Sequence, residues 1–184
     1  MIPGRGTLFA GAVPTLIVAL GVYGTLLDMH ERANPTASPP ALVDQAWLGG
    51  PLVSLDRSTL QSAARESGAS NELVDRIAQL RSSGIRLGSL GRSREMPTID
   101  PDELAGHFRA APSPQAAWST LLERIDPAPG VLQYSPLARS EEGTEVLVVE
   151  TYRCGPECGQ SRLLRLEEGI AGWTVMAEVL LWIP

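Results

Sequence analysis

The sequence contains no lysine, since all fifteen basic residues are arginine. Arginine stays protonated and cannot act as an amine nucleophile, so Schiff-base chemistry and a phosphate-loop lysine are excluded. Histidine and cysteine are also scarce, and the whole supply is His30, His107, Cys154 and Cys158. The chain therefore has few side chains suited to metal binding or to general-base catalysis.

Acidic residues are unevenly distributed along the 184 residues. The net charge is −6, and residues 99–184 carry thirteen acidic residues against six arginines. A basic patch or stripe is the usual electrostatic mark of nucleic-acid binding, and this sequence lacks one. We therefore predict no nucleic-acid partner.

A long uncharged run occupies residues 6–27. As an α-helix it would measure about 33 Å, which matches a bilayer core of about 30 Å. The following residues offer no Ala-x-Ala cleavage site, so an uncleaved anchor over residues 1–30 is favoured over a cleaved secretory signal. A helix buried in a folded domain is the third interpretation.

The predicted anchor implies a single-pass protein of the inner (cytoplasmic) membrane. A short tail before the run and a closely spaced cysteine pair after it place the C-terminal domain outside the cytoplasm, in the periplasm. Residues 31–42 are rich in proline and small polar residues, which is typical of a tether.

Residues 43–98 are predicted to form a helical segment with an arginine-rich loop. Two short amphipathic helices are expected, one ending at Gly68 and the other at Gly84. No acidic residue lies between Arg76 and Glu95, a stretch that also holds Arg81, Arg86, Arg92 and Arg94. A solvated loop is the favoured interpretation, and attraction of anionic lipid or envelope polymer is the alternative.

Residues 99–184 begin with two well-marked helices. Asp100 and Ser113 are each followed by proline, which favours a helix start at both places. The second helix carries an apolar face, and we assign Trp118, Leu121 and Leu122 to the structural core. This helix is the expected cover for one face of a sheet.

Extended segments follow the two helices. Residues 145–153, 161–168 and 173–182 predict a three-stranded antiparallel meander, with Trp173 in the core. An earlier strand is expected at residues 130–135. The predicted fold class is α+β, with an N-terminal transmembrane helix, a tether and several helices packed on a C-terminal antiparallel β-meander.

Cys154 and Cys158 flank a turn between the first two strands of the meander. Outside the cytosol the simplest interpretation is a disulfide across the turn. Thiol redox chemistry is one alternative, although the spacing and the absence of a helix N-terminus are unlike a thioredoxin centre. A Cu(I) site is the other, and it would need a third ligand such as His107 or Met176.

The stretch from Trp118 to Trp182 resembles a group of uncharacterised bacterial proteins and covers about a third of the chain. The chain departs from these proteins where Tyr134-Ser135-Pro136 replaces a serine followed by a small hydrophobic run, and at the terminal Ile183-Pro184. The matching residues are Trp118, Pro127, Gly130, Val131, Ser135, residues 146–149, Cys154, Gly155, Cys158, Gly159, Trp173, Val175, Leu181 and Trp182. The resemblance implies a fold and no chemistry.

These observations predict a membrane-anchored extracytoplasmic binding or structural module of unknown ligand. A thiol-redox or copper-handling envelope protein that uses Cys154 and Cys158 is the alternative. No catalytic residue, metal site or cofactor is assigned. The expected partners are the membrane, through residues 6–27, and a protein or envelope polymer.

Overall fold

The computed structural model of the protein describes residues 12–33, 38–47, 51–52, 55–80, 82–87 and 96–183. Within these ranges the chain forms five helices and nine strands, which confirms the α+β class. The helices are α1 (Ala12–Ala33), α2 (Arg57–Glu66), α3 (Asn71–Ile77), α4 (Pro101–Ala110) and α5 (Pro114–Ile125). The strands are β1 (Ala41–Val43), β2 (Gln45–Trp47), β3 (Ser82–Arg86), β4 (Thr98–Ile99), β5 (Val131–Tyr134), β6 (Ala138–Arg139), β7 (Glu145–Gly155), β8 (Cys158–Gly169) and β9 (Gly172–Trp182).

Seven of the described strands form one mixed sheet in the order β4-β1-β5-β7-β8-β9, with β6 paired to β7. Strand β1 runs parallel to both β4 and β5, whereas the remaining pairs are antiparallel. Strands β2 and β3 form a separate antiparallel pair. The predicted meander is present as β7, β8 and β9, and the sheet extends beyond it.

Side chains at the helix starts explain where several helices begin. Asp56 accepts from the Thr59 amide at α2, and Ser70 accepts from the Leu73 amide at α3. Asp100 accepts from two amides at the start of α4. Each bond satisfies a backbone donor that the helix itself leaves without a partner.

Helices cover both faces of the sheet. The first face, which we call the α1 face, carries α1 side chains packed against Leu132, Tyr134, Val146, Val148 and Leu164. The opposite face, the helix-pair face, has α2 and α3 over Leu147, Val149 and Leu163, and α4 and α5 over β1, β4 and β5. Alternation along β7 therefore sends successive side chains into different cores.

The predicted transmembrane helix and signal-anchor are wrong. Among the described residues no helix has the length and apolar character needed to cross a bilayer. Helix α1 instead buries Val22, Leu26 and Leu27 against the sheet, and the Tyr23 hydroxyl donates to the Ser135 carbonyl at 2.7 Å. The inner-membrane location, which was predicted from this helix, is contradicted by the same finding. Residues 6–11 of the predicted span lie outside the described residues.

The helices and strands do not follow the predicted boundaries of the anchor and the tether. Helix α1 continues to Ala33, and Ala41–Val43, where the tether was predicted to end, forms β1 between β4 and β5.

Two arginines from the stretch that was predicted to be a solvated loop form ion pairs. Arg76 contacts Glu72, and Arg86 lies 3.2 Å from Asp44. Residues 88–95 lie outside the described part of the chain.

Candidate functional site

The cysteine turn, residues 154–158, joins β7 to β8. Cys154 and Cys158 form a disulfide with their Cα atoms 5.0 Å apart, and Gly155 pairs with Cys158 across the ladder. Gly159 follows with a φ of +143°, and a Cβ there would collide with the Tyr152 carbonyl oxygen. The close return of β8 onto β7 therefore requires glycine at this position.

Arg153 lies beside the cysteine turn and binds its backbone. Its Nη2 donates to the carbonyl oxygens of Gly155 and Pro156, at 3.1 and 2.9 Å. Its Nη1 donates to the carbonyl oxygen of Leu52 at 3.1 Å. Leu52 lies 101 residues earlier in the chain. A planar guanidinium with five donors suits several acceptors held in different directions.

Two tryptophan rings accompany the guanidinium. The Cζ atom of Arg153 lies 4.3 Å from the ring centroid of Trp182 and 5.6 Å from that of Trp118. Both distances fall in the range of cation–π attraction. Partial burial lowers the pKa of Arg153 from its ordinary value. We call this group, formed by Arg153, its three carbonyl acceptors and the two rings, the Arg153 clamp.

The two cysteines of the turn differ in exposure. Cys158 is exposed, whereas Cys154 is half-buried. Every described hydrogen bond of Arg153 ends on a carbonyl oxygen. The arginine therefore stabilises the shape of the turn through its backbone.

The structure does not bring the suggested copper ligands together with the cysteine turn. Met176 lies at an irregularity of β9 opposite Arg165 and Leu166 of β8, about seven or eight residues from Cys158, which is about 25 Å along a strand. The His107 Nε2 lies 2.8 Å from the Ala117 carbonyl oxygen, which accepts its hydrogen. Among the described residues no set of three or more histidine, cysteine or acidic side chains is placed to hold a metal ion.

The predicted core residues belong to two different cores. Trp118 and Leu121 are buried on the helix-pair face, and Leu122 is half-buried beside them. Trp173 is buried on the α1 face, where a Cβ on Gly21 would lie 3.0 Å from its indole nitrogen. Trp118 also contributes to the Arg153 clamp, a contact that its helical pattern did not indicate.

A buried ion pair on the α1 face was missed by the sequence reasoning. Glu150 is 3% exposed, accepts from the Tyr134 hydroxyl at 2.9 Å and from Arg162 Nε at 2.7 Å. Arg162 also contacts Glu178 at 2.9 Å. Burial, followed by the Glu150 charge, raises the pKa of Tyr134 well above its ordinary value. The signal in the sequence was Glu150 itself, an acid two residues after Val148 and therefore on the same face of β7, which α1 covers.

Ser135, which belongs to the pattern shared with the uncharacterised proteins, has a structural position. Its hydroxyl donates to the Pro136 carbonyl and accepts from the Val149 amide, both at 2.8 Å. Its own amide donates to Val149, and its carbonyl accepts from Tyr23. Ser135 therefore ties α1, β7 and the end of β5 together.

An apolar surface lies along β9. Among the described residues seven large hydrophobic side chains are exposed, and four of them lie on β9 or its flanks, namely Ile170, Met176, Leu180 and Ile183. Two more, Ile17 and Leu20, lie on the part of α1 that precedes the Gly21 contact with Trp173. We call the first four, together with the free edge of β9, the β9 edge.

No protein-family model, no curated protein and no solved structure matches this chain. We therefore infer function from the geometry of the cysteine turn, the Arg153 clamp and the β9 edge.

Proposed function

We propose that the protein is a protein-binding module whose β9 edge takes up an extended segment of a partner protein. The position of β9 carries this proposal. It is eleven residues long and lies at the end of the sheet order, with β8 on one side and no described strand on the other. Such an edge presents backbone donors and acceptors to which a further strand can bind.

Apolar side chains on the same strand support the proposal. Met176 is 54% exposed and Leu180 is 51% exposed, and both lie on β9. Exposed apolar groups that cluster and are rimmed by polar residues mark interaction surfaces. In strand addition, backbone bonds supply affinity and alternate side chains supply specificity.

Charge indicates the chemistry of the partner segment. Strands β7 to β9 with their turns carry six glutamates and three arginines, a net charge of −3. A segment that alternates apolar and basic side chains complements this net charge and Glu178, the one charged side chain of β9, whereas a second copy of the chain brings the same negative charge.

The disulfide supports an oxidising compartment for this module. Structural disulfides persist outside the cytosol and are rare within it. We therefore propose an oxidising compartment for this domain. This proposal rests on Cys154 and Cys158 alone.

Binding of synthetic strands tests the proposed function. The probe is a fluorescein-labelled nine-residue peptide that alternates valine and arginine, and its anisotropy is followed as the oxidised full chain is added. We expect binding that weakens as salt is raised. A peptide with glutamate in place of arginine, and one methylated on alternate backbone nitrogens, should each bind far more weakly.

Matched variants locate the binding surface. Met176→Ser and Leu180→Ser should weaken binding of the arginine peptide, whereas Met29→Ser, an exposed methionine on α1, should leave it unchanged. Equal binding of the arginine and glutamate peptides, or equal effects of the three variants, would refute the proposal. A dimer in sedimentation that Leu180→Ser alone weakens would assign the edge to a second copy instead.

A further inference from the structure

The carbonyl oxygens that hold Arg153 in the cysteine turn lie inside the ring that the disulfide closes. Gly155 and Pro156 are between Cys154 and Cys158, and both accept from the same Nη2 atom. Glycine has the largest backbone freedom of any residue type. The direction of the Gly155 carbonyl therefore depends on the bonds and contacts that neighbouring residues make. The disulfide is one such bond.

We propose that the Cys154–Cys158 disulfide is a redox-controlled latch for the Arg153 clamp, opened by a dithiol reductant. In the oxidised protein the ring presents two carbonyl oxygens to the guanidinium. In the reduced protein the turn gains conformational freedom, and Arg153 leaves the two tryptophan rings for solvent. This inference does not depend on the proposed binding function.

The redox step is an ordinary thiol–disulfide exchange. A thiolate of the dithiol attacks the sulfur of Cys158, the more exposed residue of the pair, the bond between the two cysteine sulfurs breaks, and Cys154 leaves as a thiolate that takes up a proton. The second thiol of the reagent then attacks the mixed disulfide and releases Cys158 as a thiolate, which is also protonated. Two electrons pass to the protein, and the reagent becomes an intramolecular disulfide.

Opening of the latch affects parts of the protein beyond the turn. Arg153 binds the Leu52 carbonyl and contacts Trp118 on α5 and Trp182 at the end of β9. A half-buried guanidinium that loses two acceptors regains hydrogen bonds by moving into water. Its departure removes one hydrogen bond to Leu52, which also packs in the core of the helix-pair face, and one contact of Trp182, the last residue of β9.

Tryptophan fluorescence and amide hydrogen exchange of the full chain test the latch. On reduction with dithiothreitol we expect a change in tryptophan emission and faster exchange at residues 52, 181 and 182, by about tenfold. Exchange at residues 163–166, in the centre of β8, should stay unchanged. The double variant Cys154→Ser/Cys158→Ser should show the reduced pattern without any reductant.

Arginine variants separate the latch from a local effect of the cysteines. Arg153→Met should show the altered exchange already in the oxidised state and should respond little to dithiothreitol. Arg109→Met is the matched control, because Arg109 is exposed and bonds only within its own helix among the described contacts. Arg153→Lys keeps the charge with fewer donors and should give an intermediate response.

The latch is refuted by either of two results. One is an unchanged emission and exchange pattern in the reduced protein and in the double serine variant. The other is a response to reduction in Arg153→Met, or in Arg153→Lys if the methionine variant does not fold, that equals the response of the unmodified chain. Peptide binding is not measured in these experiments, so their outcome is distinct from that of the proposed function.

Discussion

The two faces of the sheet are covered in different ways. A single helix, α1, covers much of one face, and buried Glu150 and Tyr134 share that core with apolar side chains. Two helix pairs divide the other face into separate apolar clusters. Loss of one element should therefore be more damaging on the α1 face, whereas single substitutions on the helix-pair face should act locally.

Deletion of residues 1–33 is expected to have the largest effect. It removes α1 and exposes Leu132, Val146, Val148 and Leu164, which lie under the helix. We expect the fragment to lose cooperative unfolding, measured by circular dichroism during urea titration. A chain that begins at Ala12 keeps α1 and serves as the control. A fragment with the stability of the full chain would show that α1 is not part of the core.

Trp118→Ala tests the helix-pair face. Trp118 is 3% exposed, packs edge-on against Phe108 and lies under Arg153. Truncation should lower the free energy of unfolding by about 3–5 kcal/mol, from the urea midpoint. Leu122→Ala, at a half-buried position of the same helix, should cost less. An unchanged midpoint for Trp118→Ala would place this side chain at the surface.

Glu150→Ala tests the charges in the α1 core. Removal of the carboxylate leaves the Tyr134 hydroxyl without its described acceptor and weakens the pairing of Arg162, so we expect a loss of about 1–3 kcal/mol. Glu178→Ala is the matched control, since Glu178 contacts the same arginine from an exposed position. Its effect should stay below about 1 kcal/mol. Equal losses for the two variants would mean that burial of Glu150 has no energetic consequence.

Mild alkali is expected to have the smallest effect. Burial raises the pKa of Tyr23 and of Tyr134 above the ordinary value of 10.0. The folded state therefore retains protons that the unfolded chain loses, and stability present below pH 10 falls as the pH rises further. From pH 9 to pH 10 the loss should be less than about 1 kcal/mol. Tyr23→Phe should reduce the pH dependence, whereas an identical dependence would exclude Tyr23 as a source.

Local sequence signals predicted the C-terminal half of the fold well. Helix caps at Asp100 and Ser113 mark α4 and α5, and alternation marks the three long strands. These features depend on neighbouring residues, so they can be recognised without knowledge of the partner elements. The cysteine turn is similar, because both sulfurs flank one strand-to-strand turn.

Non-local contacts explain what the sequence did not predict. The apolar residues of α1 fit a bilayer and a protein core equally well, and only the sheet beneath Val22 and Leu26 distinguishes them. Strand β1 has three residues, too few for a recognisable period. The Arg153 clamp uses backbone carbonyl oxygens, which every residue possesses, so no residue pattern points to Leu52 as an acceptor.

The position of β1 between β4 and β5 has a consequence for how the chain folds during synthesis. Ala41 pairs with Val131, ninety residues later in the sequence, and parallel pairs of this kind require a long loop to close. During synthesis β1 therefore has no partner on its β5 side until residues 131–134 have been made. We expect the apolar residues of α1 and β1 to be solvent-exposed in shorter nascent chains, which makes this interval the stage most open to chaperone binding and to aggregation.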